Sequence, residues 1–310
     1  MAWKPILKRY ENNPVLSPKD MPVPSFAVYN CGAAKFKGKY LLLTRTEISD
    51  RRHYIWAAFS DDGCTFKPNP KPVEFTAKNM KHYLEYADYS FYDPRVNIVE
   101  GEYYVTYAAS SNYHGCRIGI ARTKDFKTLE HVSFPLHISN RNAVLFPEKI
   151  GGEYVMLHRP ENNDGGGDIW IAYSSDFEYW GKVKCVAKRA GSGRWEWGKI
   201  GPGAPPIKTK EGWLLIYHGT YSTCQGTNYC MGAMLLDLKD PSKIVARCRS
   251  ALLRPEASYE FMGQVPNVVF PCGAILEDNG EVKIYYGAAD NFACLATGNV
   301  KDIIKACREL

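Results

Sequence analysis

The chain has 310 residues, 45% hydrophobic and 13% aromatic, which is ample for a large core, and no break in composition divides it. A single domain over residues 1–310 is therefore expected. The formal charge is +6, but the lysines and arginines are scattered rather than gathered into stripes or tails, so no nucleic-acid partner is expected and an anionic small ligand accounts for the excess equally well.

No apolar run reaches the roughly 18 residues needed to cross a bilayer, so no membrane partner is expected. The opening Met1-Ala2-Trp3-Lys4-Pro5 has no signal-peptide character, which predicts a cytoplasmic protein. The ten cysteines contain no CxxC pair and no histidine cluster at zinc spacing, so free thiols packed as small hydrophobes are expected, with no metal site.

In chain order, a turn glycine followed by an apolar, aromatic-rich strand recurs five times: Gly38-Lys39-Tyr40-Leu41, Gly101-Glu102-Tyr103-Tyr104, Gly152-Glu153-Tyr154-Val155, Gly212-Trp213-Leu214-Leu215 and Gly280-Glu281-Val282-Lys283. The steps between these glycines are 63, 51, 60 and 68 residues. Another strand precedes each glycine: 30–36, 94–99, 143–150, 203–207 and 268–276. A third follows it: 54–59, 117–121, 168–173, 232–236 and 293–297. The third strand usually runs into an acidic turn, at Asp61-Asp62, Asp125, Asp176, Asp240 and Asp302, where a carboxylate can bond its own backbone.

Five repeated sheets of three or four strands, arranged radially so that edges stay short, make an all-β, five-bladed β-propeller. The one clear helical segment is the short amphipathic run from Val300 to Cys307, expected to close the last blade.

Strand ends on one face of a propeller converge on the axis, so the repeat register predicts where chemistry sits. After the glycine-led strands come Arg45, Ser110, Arg159, His218 and Asp290; opening the first strands are Asn30, Asp93, Arg141, Gly203 and Asn267. These are expected to form adjacent rings around one pocket. Asp93, beside Tyr92 and followed by Pro94, can serve as a general acid or cap a turn. Arg141 and Arg159, with His218 and Lys199, suit a tetrahedral dianion, with carboxylate recognition as the alternative. The runs Gly165-Gly166-Gly167 and Gly191-Ser192-Gly193 lead into no GK[ST] and read as flexible turns. Tyr179, Trp180, Trp195 and Trp197 can stack on sugar rings or pack between blades.

These residues carry a resemblance to glycoside hydrolase family 130, dominated by inverting β-mannoside phosphorylases. It runs from about Asn13 to Ala306, through Tyr29-Asn30-Cys31-Gly32-Ala33, Tyr92-Asp93-Pro94-Arg95, Asn140-Arg141-Asn142, Met156-Leu157-His158-Arg159-Pro160, Trp195 to Gly201, Tyr217-His218-Gly219 and Tyr286-Gly287-Ala288-Ala289-Asp290. The resemblance implies Asp93 as general acid, with its proton passing through a mannose hydroxyl. It implies a phosphate site of Arg141, Arg159, His218 and Lys199, and a mannose subsite of Asn30, Arg45 and Asp290, with Tyr92 among the substrate contacts.

The implied reaction is reversible phosphorolysis of β-1,2- or β-1,4-linked manno-oligosaccharides to α-mannose 1-phosphate. Inorganic phosphate is the co-substrate and no cofactor is used. A mannosyltransferase building β-mannan, an inverting β-mannosidase and a non-catalytic carbohydrate-binding propeller are the rival readings. Cys31 departs from the Ser or Pro that other members often carry beside the asparagine. Linkage, acceptor and oligomeric state are left open, and a homo-oligomer is compatible with the sequence.

Overall fold

In a computed structural model, which describes residues 6–309, five sheets surround one axis as a five-bladed β-propeller. The Met1–Pro5 segment read above lies outside these residues. Blade 1 comprises Ser25–Phe36, Lys39–Ile48, His53–Ser60 and Lys67–Pro68; blade 2, Ser90–Val99, Glu102–Ser111, Gly115–Thr123 and Thr128–Ser133. Blade 3 comprises Asn140–Leu145, Tyr154–Pro160, Ile169–Ser174 and Trp180–Ala187. Blade 4 is built from Ile200–Pro202, Trp213–Thr223, Gly226–Leu236 and Ile244–Arg247, and blade 5 from Val269–Leu276, Glu281–Ala288, Phe292–Asn299 and Lys8–Arg9. Each blade thus adds an outer strand to the three that the sequence signals; blade 2 gains a further edge strand, Glu74–Thr76, parallel to Thr128–Ser133, and in blade 4 Ile207–Lys208 also pairs with Trp213–Thr223.

The outer strand of blade 5 corrects one expectation. Lys8–Arg9, from the other end of the chain, pairs antiparallel with Thr297 and Ala296 and closes the ring. The helix Val300–Arg308, capped by the Asn299 side chain, instead buries Ile303, Ile304 and Cys307 against blades 4 and 5.

The glycine-led strands are apolar on both faces because each sheet is packed on both sides, and their side chains alternate between two neighbours. In blade 1, Leu41 and Leu43 join Val96 and Val105 of blade 2, while Leu42 joins Tyr285 and Leu295 of blade 5. In blade 4, Leu214 and Ile216 face Val282 and Ile284 of blade 5, whereas Trp213 and Leu215 face Val144 and Val155 of blade 3. Val99, Ile118 and Ile120 of blade 2 fill the remaining seam with Leu145 and Met156 of blade 3. Cutting one such leucine to alanine costs about 2–5 kcal/mol, because a cavity opens between two rigid sheets.

The acidic turns form as expected in three blades, with a one-sided shift in the other two. Asp62, Asp125 and Asp176 each accept from two backbone N–H groups at 2.8–3.1 Å. In blade 4 that place belongs to Asp237 rather than Asp240, and in blade 5 to Asn299 rather than Asp302. All ten cysteines are free thiols, with Cys248 and Cys307 3.2 Å apart under the C-terminal helix. Among the described residues no helix is long and apolar enough to cross a membrane.

Candidate active site

Three of the five inner strands carry the same device, a bulge with a left-handed Asn or Asp; blade 5 is also bulged, between Pro271 and Gly273, but without such a residue. Between Tyr29 and Gly32, Tyr92 and Arg95, and Arg141 and Val144, the register with the second strand slips by one residue, a β-bulge in blades 1, 2 and 3. At each bulge an Asn or Asp takes left-handed backbone, Asn30 at φ 47°, Asp93 at 51° and Asn142 at 61°, a conformation these short polar residues tolerate. The bulges aim side chains at the axis. Asn142, not Arg141, is therefore the blade 3 counterpart of Asn30 and Asp93. In the second strands Ala108, not Ser110, is opposite Tyr92 as Arg45 is opposite Tyr29.

One cavity of about 170 Å³ on the axis is lined by all nine of the expected site residues: Asn30, Arg45, Tyr92, Asp93, Arg141, Arg159, Lys199, His218 and Asp290. Ser110, Gly203 and Asn267 are not among its lining residues. Asn142, Tyr229, Val265, Val268 and Phe270 complete the wall. Of these, Asn142 was legible as an Asx residue inside a quoted motif; the others read as ordinary strand or loop positions.

Blades 1, 2 and 5 make the carboxylate side. Asp93 Oδ1 accepts from Asn30 Nδ2 at 2.9 Å and from Arg45 Nη1 at 3.2 Å, so its carboxylate caps no turn. Gly287 is required here, because a Cβ on it would lie 2.0 Å from Asn30 Oδ1. The Arg45 guanidinium is sandwiched between Tyr29 and Tyr92, its carbon 4.7 and 4.6 Å from their ring centroids. Its Nη2 reaches His53 Nε2 at 3.1 Å. An arginine only donates, so His53 accepts on Nε2 and carries its proton on Nδ1, toward Ser90 Oγ at 3.1 Å. Burial and Arg45 push His53 down to about 4, consistent with that neutral tautomer. Burial pushes Asp290 up to about 6, against the pull of Arg45 and with Asp93 adding to the rise.

Blades 3 and 4 make the cationic side. Arg141, Arg159 and Lys199 face it with one carboxylate, Glu161, which accepts from Arg141 Nη2 at 3.2 Å and lies 3.7 Å from Arg159 Nη1. Arg159 is buried, and among the described residues its Nε and Nη1 have no hydrogen-bond partner; nor do Arg141 Nε, Asn142 Nδ2 and His218 Nδ1. Burial, then the charge of Arg141, pushes Arg159 down, as expected for a cation short of counter-charge. His218 is driven well below its usual value by burial and by Arg159, Arg95 and Lys199, so it is neutral. Its ring packs 4.5 Å from that of Phe270, and Lys199 Nζ lies 5.2 Å over Tyr229.

Several candidates are placed elsewhere. Trp195 is core: it packs over Gly219 and Gly232, and its indole donates to the Arg249 carbonyl at 3.1 Å. Tyr179, Trp180 and Trp197 do not line the cavity. Cys31, the departure beside Asn30, is fully buried among Val28, Leu42 and Tyr285, turned away from the site.

A carboxylate held by an amide and a guanidinium, next to a cation-rich wall with unused donors, matches the motifs quoted above. The model of glycoside hydrolase family 130, described as beta-1,4-mannooligosaccharide phosphorylase, matches residues 3–309. The chain belongs to that family. It is 38% identical to the beta-1,4-mannooligosaccharide phosphorylase of Ruminococcus albus, over 97% of this chain and 90% of that protein. It is also 38% identical to the 1,2-beta-oligomannan phosphorylase of Thermoanaerobacter sp., over 96% and 98%. The solved beta-1,2-mannobiose phosphorylase of Listeria innocua, in complex with beta-1,2-mannobiose, superposes with a TM-score of 0.86 at 30% identity, covering 97% of this chain and 99% of that one. The chain is thus an enzyme, a glycoside phosphorylase.

Proposed function

We propose that the chain catalyses reversible, inverting phosphorolysis of β-1,2- or β-1,4-linked manno-oligosaccharides, releasing α-mannose 1-phosphate. The observation that carries this reading is the cationic wall: two arginines and a lysine against one carboxylate, with buried N–H groups left unpartnered beside Asp93. Two positive charges in excess match a phosphate dianion.

Phosphate held there attacks the anomeric carbon as the bond from that carbon to the acceptor oxygen breaks. The electron pair leaves with the acceptor oxygen, which takes a proton supplied by Asp93 through a mannose hydroxyl. Phosphate is already a nucleophile and needs positioning and charge compensation rather than a second carboxylate to activate it. Glu161, the carboxylate nearest these cations, is not among the residues lining the cavity; it accepts from Arg141 and lies 3.7 Å from Arg159 Nη1, so it is not placed to activate water. Asn30, Arg45, Tyr92 and Asp290 hold the terminal mannose, Arg141, Arg159, Lys199 and His218 the phosphate, and no cofactor takes part.

The test is incubation with β-1,2- and β-1,4-manno-oligosaccharides with and without phosphate, assaying mannose 1-phosphate and free mannose. Phosphate-dependent mannose 1-phosphate is expected. Equal release of free mannose in phosphate-free buffer would overturn the proposal.

A further inference from the structure

Beneath the cavity lies a charge that the chemistry above leaves unused. Arg95, 1% exposed, has no carboxylate among the partners of its guanidinium. Its nitrogens donate instead to four oxygens: Nε to the Gly203 carbonyl at 2.8 Å, Nη1 to the Asp93 carbonyl at 2.9 Å, and Nη2 to Asn142 Oδ1 at 3.4 Å and the Pro202 carbonyl at 3.5 Å. One side chain from blade 2 therefore ties its own bulge to blade 3 and to the first strand of blade 4.

Two consequences follow from donor chemistry. The carbonyl of Asp93 is fixed at its left-handed bend, which sets the direction of the carboxylate above it. A guanidinium cannot accept, so the Asn142 atom that faces Arg95 is the oxygen, and the amide nitrogen is turned the other way. That nitrogen is buried, has no partner, and belongs to a residue lining the cationic wall. It lies beside His218: a Cβ added to Gly201 would come within 3.0 Å of it and 2.6 Å of His218 Cε1.

We propose that Arg95 is a positioning residue for the reaction, holding the main chain of Asp93 and, by fixing the Asn142 amide, aiming a further N–H donor at the phosphate. The proposal rests on the phosphorylase reading. A lysine at this position keeps the charge but not the planar fork, so it cannot satisfy oxygens of three blades at once.

The experiment measures phosphate binding by calorimetry, with kcat and KM for phosphate in phosphorolysis, for the wild type, Asn142→Ala, Arg95→Lys and the double variant. Asn142→Ala is expected to weaken phosphate binding at least about tenfold while leaving mannose binding unchanged. Arg95→Lys should weaken phosphate binding similarly and also lower kcat, since Asp93 loses its anchor. The double variant should bind phosphate within about twofold of Arg95→Lys, because Asn142 acts through Arg95. Wild-type phosphate binding in Asn142→Ala, or effects that simply multiply in the double variant, would overturn the proposal. If Arg95→Lys does not fold, Asn142→Ala alone decides. A wild type that binds phosphate yet makes no mannose 1-phosphate would defeat the phosphorylase reading, while the binding ratios would still judge Arg95 and Asn142.

Discussion

On the side of the cavity formed by blades 1, 2 and 5, the central charges are paired: Arg45 bridges the Asp93 carboxylate and the neutral His53, Asn30 donates to Asp93, and two tyrosine rings cover the guanidinium. Of the buried side-chain atoms there, only Asn30 Oδ1 and Arg45 Nε lack partners among the described residues. On the side formed by blades 3 and 4, donors outnumber acceptors, and a buried arginine has two nitrogens without partners. The first side is organised before substrate arrives, as a group that must deliver a proton in a fixed direction requires. The second side stores an unmet demand that only an anion can satisfy. Cations that share too few counter-charges are destabilising, and here Arg141 and Arg159 share the single carboxylate of Glu161, so this wall trades stability of the empty enzyme for affinity.

The sharpest way to separate the sides is Asp93→Asn. Loss of the acid is expected to lower kcat by about 10²–10⁴ while calorimetry finds phosphate affinity unchanged. Phosphate binding that collapses along with kcat would mean the two sides are not separate.

Arg159→Met attacks the other side. KM for phosphate should rise about a hundredfold, since a charge-assisted contact in a desolvated site is removed. Without phosphate the melting temperature should hold or rise, because a buried charge that shares its one nearby carboxylate, Glu161, with Arg141 is gone. Phosphate should stabilise the wild type but not this variant. A large loss of stability in phosphate-free buffer would contradict the stored-demand account.

Asp290 offers a pH test of the carboxylate side. A carboxyl raised by the fold binds its proton more tightly folded than unfolded, so its stabilising effect is present below its ordinary value of 3.8 and is lost as pH rises through about 6. Asp290→Asn should therefore gain stability relative to wild type between pH 4 and 7, by roughly 3 kcal/mol at most. Melting curves across that range check the slope, and a difference that is flat with pH would remove Asp290 as a buried, raised carboxyl.

The smallest effect is expected at His53→Ala, which removes the acceptor of Arg45 Nη2. KM for the mannoside should rise about fivefold with KM for phosphate unchanged. A change confined to phosphate would assign His53 to the wrong side.

Much of this arrangement is legible in the chain because it is local. Turn glycines, strand alternation and Asx turns depend on neighbours a few residues apart, so five blades and the strand ends that face the axis could be counted from Gly38 to Gly280. Seven of the nine expected residues came from that register, Tyr92 and Lys199 having been read beside it, and all nine line one cavity. What the chain order hid is non-local. Closure by Lys8–Arg9 joins the two ends of the protein, and no periodicity marks a two-residue strand. The bulges shift the register by one, so Asn142 rather than Arg141 is the counterpart of Asp93, and Ser110 moves off the ring. Which cations stay paired, which donors stay empty and which buried arginine holds both Asp93 and Asn142 depend on side chains that come from different blades, and only the closed ring brings them within hydrogen-bond reach.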